Sequence, residues 1–192
     1  YKEHLRIGTS SLRRQMQAKH HLNASNIVSL NGNVTTRLKK LEDGICDCII
    51  LAEAGLRRLD LINKELNFIR LQHYTNFAQG TLAVQWKTES EHVREMWSGA
   101  MREMKEKYNL DMSTYDINRT KEIKTGHEVL KELNADCNSA IALEVKCDES
   151  STDIVGEIYG RNRYIYFYAN KVSDAIKTIK EKGGLELLNE HN

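Results

Sequence analysis

Three successive strand-to-helix junctions within residues 5–61 limit what this chain can fold into more than any other feature. Each junction places small or amide-bearing residues where a short apolar run gives way to a helical pattern: Gly8-Thr9-Ser10-Ser11, Asn31-Gly32-Asn33 and Ala52-Glu53-Ala54-Gly55. The runs are rich in Ile, Val and Leu, which is typical of strands buried on both faces. The sequence therefore predicts a βαβαβα unit in which helices cover a parallel sheet.

The predicted strands of this unit cover residues 5–7, 26–30 and 46–51. The second helix has the clearest pattern, with Asn33 as its predicted N-cap and Gly44 as its terminator. Ser10 is expected to cap the first helix in the same way. Farther along, helices are predicted over 90–107, 121–133 and 173–182, and strands over 141–146, 154–159 and 164–168, the last two forming a hairpin.

Basic side chains gather around the junctions of the parallel unit. The carboxyl ends of parallel strands meet at one edge, where unpaired helix-start N–H groups attract anions. Arginines follow each junction, and their planar guanidinium groups suit carboxylate or phosphate: Arg13, Arg14, Arg37, Arg57 and Arg58. The pattern indicates a ligand with several acidic groups, but an arginine pair on a solvated helix face fits the spacing equally well.

Four segments resemble a known family. The segments GTSSLRRQ at 8–15, GNVTTRLKKLEDG at 32–44 and DCIILAEAGLRRLDL at 47–61 are similar, in order and spacing, to the second domain of the porphobilinogen deaminase (hydroxymethylbilane synthase) family. HEVLKELNADCNSAIAL at 127–143 resembles that family's third-domain stretch, where a cysteine carries a covalent dipyrromethane cofactor. The resemblance covers nearly the whole chain.

The resemblance implies an α/β fold in two parts. A partial, periplasmic-binding-protein-like parallel-sheet domain with an anion and cofactor cleft is expected over 1–75, and a small α+β domain with a three-stranded sheet and the cofactor cysteine over 109–192. Between them, 76–108 should form a crossover strand and a helix that return toward a first domain. Because that first domain should precede Tyr1, the chain is expected to be a fragment.

The resemblance also implies function and site residues. The family makes hydroxymethylbilane in tetrapyrrole (haem) biosynthesis by condensing four porphobilinogen units, with loss of ammonia, on its dipyrromethane. Here Cys137 would hold that cofactor through a thioether. Carboxylate and hydrogen-bond contacts would come from Arg13, Arg14, Arg37, Arg58, Thr9, Ser10, Ser11 and Gln79. The family's catalytic aspartate lies in the first domain, so no catalytic residue is assigned and the fragment alone is expected to be inactive.

Without the resemblance, the sequence indicates less about the roles of the cysteines. Cys46 and Cys48 lie two apart on a predicted strand and are expected to be packing residues. Cys137 lies between a predicted helix and a predicted strand, in a loop where a thiol can be exposed. No ligand spacing predicts a metal site.

The sequence departs from the family pattern at four places. Asn31 replaces an arginine, Ala78 a glycine before Gln79, Ala135-Asp136 a Gly-Gly before the cysteine, and Ala140 a proline. These changes predict a divergent or slow member.

Bulk properties limit the partners. With 28 basic and 27 acidic residues and a formal charge of +1, no global field favours nucleic acid or a membrane surface. The expected partners are porphobilinogen and the growing pyrrole chain, the full-length protein is expected to be a monomer, and its compartment the cytoplasm or a plastid-like organelle. Two rival hypotheses stay open: a non-catalytic tetrapyrrole or polycarboxylate binding module, and a phosphate or nucleic-acid binder that uses Lys19, Lys39 and Lys40.

Overall fold

The computed structural model describes residues 4–62, 67–79, 81, 85–108 and 113–191. Its first sheet is parallel, with strand order β2-β1-β3, and the strands pair through Ile7 with Ile27 and with Cys48. A helix follows each strand, so the predicted βαβαβα unit is confirmed: β1 (Arg6–Gly8), α1 (Leu12–Leu22), β2 (Asn26–Val28), α2 (Val34–Glu42), β3 (Cys48–Ile49) and α3 (Glu53–Arg58).

The helix ends of this unit follow the sequence in one case and depart from it in another. The Asn33 side chain accepts a 2.8 Å hydrogen bond from the Thr36 backbone N–H, and Gly44 follows α2 with a φ of +71°. Both were predicted. The predicted cap of the first helix is wrong, because Ser11 holds the N-cap position without a side-chain hydrogen bond. The hydroxyl of Ser10 instead accepts from Arg37.

Close packing explains the glycine at the end of β1. A Cβ on Gly8 would lie 2.8 Å from the Cys46 Sγ and 2.9 Å from a Leu30 methyl carbon. Real side chains do not approach so closely, so this position needs glycine. Cys46 is buried and thus packs as expected for a core residue.

A second, antiparallel sheet lies in the C-terminal half. Its strands are β4 (Ile141–Cys147), β5 (Thr152–Tyr159) and β6 (Tyr164–Ala169), in chain order, so the predicted three-stranded sheet is confirmed. One face is buried against helices α5 (Ser113–Glu132), α6 (Val172–Glu181) and α7 (Gly184–Asn189). Helix α5 begins eight residues earlier than predicted, and α7 begins at the Gly183-Gly184 pair that predicted only a helix end.

Helix α4 (Glu91–Tyr108) lies between the two sheets in the chain and confirms the helix predicted over 90–107. Its apolar residues Met96, Trp97 and Met104 are exposed. The expected crossover strand before it falls partly on residues 80 and 82–84, which lie outside the described residues. Among the described helices, none combines the length and apolar character needed to cross a bilayer.

The two sheets meet through α1. Leu12 and Met16 of α1, together with Tyr74, pack against Ala140, Ala142 and Tyr159 on the face of the antiparallel sheet that α5 and α6 leave uncovered. The backbone carbonyl of Thr75 accepts a 3.0 Å hydrogen bond from Leu143 on the outer edge of β4. The parallel-sheet unit and the antiparallel-sheet unit therefore contact each other where α1 begins.

Candidate functional site

Side chains from the first two junctions of the parallel sheet meet at its carboxyl edge. Arg37 donates from Nε to the Gly32 carbonyl at 2.7 Å and from Nη2 to the Ser10 hydroxyl at 3.1 Å. Arg14 donates to the carbonyl of Ile50, just after β3, at 3.1 Å. We call Ser10, Arg14 and Arg37 the junction cluster. It joins α1, α2 and the end of β3 as the topology predicts.

The junction cluster concentrates positive charge. Burial lowers the pKa of Arg14 from its ordinary value of 12.5, and the neighbouring charge of Arg37 lowers that pKa further. A guanidinium group whose charged form is disfavoured by burial and by a neighbouring cation is stabilised by a ligand that carries negative charge. The cluster is therefore suited to an anion.

Arg13 points away from the cluster and into the contact between the two units. Only 6% of its surface is exposed, and its guanidinium donates to Asn76 Oδ1 at 2.5 Å, to Gln17 Oε1 at 2.6 Å and to the Tyr74 carbonyl at 3.3 Å. Burial, followed by the charge of Arg14, lowers the pKa of Arg13 to about 10. Arg13 thus holds the segment 74–76 against α1.

These arginines lack carboxylate partners. Among the described residues, Arg13, Arg14 and Arg37 bond to carbonyl, amide or hydroxyl oxygens only, whereas Arg6 and Arg57 of the same unit are paired with carboxylates. Arg6 lies 2.8 Å from Asp47, and Arg57 lies 2.6 Å from Glu53. Burying a charge without a counter-charge is costly. An acidic ligand would remove that cost.

The other residues expected to bind ligand at the junctions differ in exposure. Thr9 is fully buried, and its hydroxyl accepts a 3.3 Å hydrogen bond from the Ser11 N–H. Thr9 therefore shapes the turn that presents Ser10. Arg58 is exposed at the end of α3.

The Cys137 thiol is exposed on an ordered loop between α5 and β4. The Asp136 carboxylate accepts from the Asn138 N–H at 2.8 Å and from the Ser139 hydroxyl at 3.3 Å. The bond from Asn138 is the main reason that the pKa of Asp136 lies below its ordinary value. This side chain therefore braces the loop that presents the thiol.

The Cys137 loop lies close to the start of α1. Ala140, three residues after the cysteine, is buried against Leu12 and Met16. Because three residues span at most about 11 Å, the Cα of Cys137 lies within about that distance of the Cα of Ala140, which contacts the helix that carries Arg13 and Arg14. The fold thus places Cys137 on the loop that leads into the contact with α1.

Gln79 lies elsewhere in the described structure. It is exposed on the turn after the segment 74–76, beside a cavity of about 790 Å³ lined by α5, β4 and residues 72–79. Ala78 has a φ of +60°, which L-residues other than glycine adopt at a cost. A glycine at position 78 would adopt this conformation without that cost.

The structure adds site residues that sequence reasoning missed. Gln17 accepts from Arg13 and donates to the Tyr74 carbonyl at 2.7 Å. Its position four residues after Arg13 places both on one helix face, and that spacing was a usable signal. Asn76 carries no such signal, because its partner is 63 residues away in the sequence. No group of three His, Cys, Asp or Glu residues in the described part of the chain could hold a metal ion.

Comparison with known proteins gives one consistent result. Residues 1–95 match the family model described as porphobilinogen deaminase, dipyrromethane cofactor binding domain. Porphobilinogen deaminase of Syntrophotalea carbinolica is 30% identical over 152 residues, which cover 79% of this chain and 44% of the relative. The enzyme of Limosilactobacillus reuteri is 32% identical over 164 residues, which cover 84% of this chain and 45% of the relative. The enzyme of Francisella tularensis subsp. novicida is 50% identical over 66 residues, which cover 34% of this chain and 22% of the relative.

The matched regions contain the candidate residues. The family model covers the junction cluster, Arg13, Arg58 and Gln79 but ends before Cys137. A match over 84% of the chain necessarily includes Cys137. The chain spans a little under half the length of the relatives matched over most of it.

Proposed function

The chain belongs to the porphobilinogen deaminase family, and we propose that it serves that family's reaction, the condensation of four porphobilinogen units into hydroxymethylbilane with loss of ammonia. The chain would supply the site that holds the dipyrromethane and the growing pyrrole chain. The periplasmic-binding-protein-like fold and the division into 1–75, 76–108 and 109–192 are part of this proposal.

One observation carries the proposal: the half-buried guanidinium groups of Arg14 and Arg37, without a counter-charge among the described residues, lie at the carboxyl edge of the parallel sheet. Pyrroles of this pathway carry acetate and propionate groups, and a dipyrromethane presents several such carboxylates together. Arg14 and Arg37 would bind them directly, and each charged hydrogen bond contributes roughly 1.5–3 kcal/mol. The residues present therefore fit the cofactor that the matched family model names.

Cys137 would carry the cofactor, because it is exposed and its loop lies beside α1. The sulfur would bond the aminomethyl carbon of a porphobilinogen-derived unit, ammonia would leave that carbon, and the thiol proton would leave with the ammonia as ammonium. Once bound, the dipyrromethane supplies a free pyrrole carbon to which further units add. The described side chains would bind and orient; we assign none of them a proton-transfer role.

The remaining assigned residues complete the site in this proposal. Ser10 would donate to a carboxylate when Arg37 turns toward the ligand, and Arg58 would add a cation from the end of α3. Thr9 and Ser11 would hold the first junction in shape, as their 3.3 Å hydrogen bond indicates. Gln79 would donate through its side-chain amide.

Two departures from the family pattern have a structural context. Asn31 stands where the family has an arginine, but Lys40 donates from Nζ to the Asn31 carbonyl at 3.0 Å and so leaves a cation at this junction. Ala140 is buried against α1, where a small side chain is needed. We therefore expect weaker carboxylate binding at Asn31 and an intact contact at Ala140.

Intact-mass measurement after incubation with porphobilinogen tests the proposal, in a protein in which this chain is joined to a first domain that supplies the family's catalytic aspartate. We expect a mass increase of two pyrrole units that disappears in Cys137→Ser and persists in Cys147→Ser. Cys147 is the matched control because it is half-buried beside Thr152. No increase in folded protein, or an increase that survives Cys137→Ser, would reject Cys137 as the attachment site. Binding of a polycarboxylate without any adduct would instead favour a non-catalytic binding module.

A further inference from the structure

A side chain from α5 fixes the turn that presents Gln79. Arg119 donates from Nη2 to the Gln79 carbonyl at 3.3 Å, and the same nitrogen donates to the Thr81 hydroxyl. The Thr81 N–H donates to the Ala78 carbonyl at 3.1 Å and closes the turn. Arg119 thus holds Gln79 within the turn and Thr81 at its end, from 40 and 38 residues away in the sequence.

Glu122 braces this arginine. Its Oε2 accepts from Arg119 Nη1 at 2.7 Å, and its Oε1 accepts from the backbone N–H of Cys147, the last residue of β4, at 3.1 Å. The pair is partly buried, with 30% of the arginine side chain and 14% of the glutamate side chain exposed. A partly buried ion pair whose carboxylate also accepts a backbone hydrogen bond keeps its geometry better than an exposed pair does.

The segment before the turn is fixed as well. The Thr75 carbonyl accepts from the Leu143 N–H, and a Cβ on Gly126 would overlap the Phe77 ring. Helix α5 therefore needs glycine at 126 to seat Phe77. With Phe77 and Thr81 both held, Ala78 is forced into its positive φ of +60°. Strained backbone of this kind persists only where the surroundings determine it.

We propose that Arg119, braced by Glu122, is a positioning residue that holds Gln79 ready to bind a carboxylate of the pyrrole ligand. This inference rests on the proposed function, because it takes Gln79 as a ligand-binding residue. Arg119 itself acts through the turn. Removing its guanidinium lets Ala78 relax to a negative φ and moves the Gln79 amide.

The test is a double-mutant cycle with a synthetic dipyrromethane that bears acetate and propionate side chains as the probe. Its affinity is measured for the unaltered chain, Arg119→Ala, Gln79→Ala and the double variant. We expect Arg119→Ala to weaken binding about tenfold, the equivalent of one charged hydrogen bond. Adding Arg119→Ala to Gln79→Ala should weaken it no further. Arg119→Lys should give an intermediate affinity. Lys124 is an exposed residue of the same helix, and Lys124→Ala should bind the probe as the unaltered chain does.

Amide hydrogen exchange at Thr81 tests the turn directly. Because the Thr81 N–H closes the turn, this amide should exchange about tenfold faster in Arg119→Ala and in Glu122→Gln. Its exchange rate should not change in Lys124→Ala. Unchanged exchange at Thr81 in Arg119→Ala would overturn the inference whatever the affinities are.

The outcomes separate this inference from the proposed function. If the unaltered chain binds the probe and Arg119→Ala binds it equally well, positioning by Arg119 is overturned while the proposed function stands. The inference would also be overturned if Arg119→Ala weakened probe binding equally whether residue 79 is Gln or Ala. Equal losses of affinity would mean that Arg119 acts on the fold in general. No binding by the unaltered chain would overturn the proposed function and this inference with it.

Discussion

The Nε of Arg13 donates a 2.5 Å hydrogen bond to Oδ1 of Asn76, and through it α1 holds the segment that leads into the Gln79 turn. The same helix carries Arg14 of the junction cluster and packs against the strand that follows Cys137. One helix therefore orients three parts of the candidate site. Changes in α1 should affect both stability and ligand binding.

Arg13 and Arg58 should separate these two effects. Arg13→Ala leaves the side-chain oxygens of Asn76 and Gln17 without their donor, so the free energy of unfolding should fall by about 1–3 kcal/mol. Arg58→Ala removes an exposed side chain and should change that free energy by less than about 0.5 kcal/mol. Both should weaken binding of a dipyrromethane carboxylate. Urea unfolding measures the two stabilities. Equal losses in the free energy of unfolding in both variants would contradict the structural role of Arg13.

Gly8 and Gly99 should respond oppositely to alanine. A Cβ at Gly8 would meet Cys46, Leu30 and Ile49, so Gly8→Ala should lower the free energy of unfolding by about 1–3 kcal/mol. Nothing lies within 4 Å of a Cβ at Gly99 in α4, so Gly99→Ala should raise helix stability by up to about 1 kcal/mol. Thermal unfolding followed by circular dichroism compares them. A tolerated Gly8→Ala would show that β1 and β3 pack less closely than described.

Ala78→Gly should stabilise the protein. The left-handed conformation costs a non-glycine residue roughly 1–2 kcal/mol, and the greater freedom of glycine in the unfolded chain offsets part of that gain. We expect a net rise of about 1 kcal/mol in the free energy of unfolding. Ala54→Gly, on the exposed side of α3, should instead lower it by about 0.5 kcal/mol. The expectation fails if both substitutions change stability in the same direction.

His73 should make stability depend on pH below 6.5. Its ring stacks on that of His21 with 4.7 Å between centroids, and His21 lies 3.6 Å from Glu157 and 3.3 Å from the Tyr159 hydroxyl. Burial, then the His21 charge, lowers the pKa of His73 below 6.5, although Glu157 acts in the opposite direction.

The sign of this dependence follows from proton binding. Below pH 6.5 the unfolded chain binds a proton at His73 more readily than the folded chain does, so stability is complete above pH 6.5 and falls as the pH decreases. Asp47, Glu53 and Asp148, with pKa values of about 2, lose their contribution only at more acidic pH. Urea unfolding between pH 5 and 8 gives the free energy of unfolding at each pH. This free energy should depend less steeply on pH in His73→Phe than in the exposed control His92→Gln. Identical slopes would remove His73 as the cause.

The sequence predicted the parallel unit well because its signals are local. Asn33 caps α2 and Gly44 ends it through contacts within a few residues. Residues that repeat or cap at short range can be identified from the chain alone.

Long-range contacts were the part that the sequence did not predict. Arg13 and Arg14 are adjacent arginines, yet Arg13 points into the contact between the units and Arg14 points toward Ile50. The side chains that hold the Gln79 turn lie on α5, and the cap assigned to Ser10 failed because Arg37 takes that hydroxyl. Each outcome depends on a partner that only the folded chain brings near.

Affinity for a dipyrromethane that bears acetate and propionate groups tests the account most directly. The unaltered chain should bind it, and Arg14→Gln and Arg37→Gln should each weaken binding by about tenfold to a hundredfold through loss of a charged hydrogen bond. Arg57→Gln, which removes an exposed arginine already paired with Glu53, should bind as the unaltered chain does. Equal affinity in all three variants would contradict the claim that unpaired guanidinium groups at the sheet edge form the ligand site.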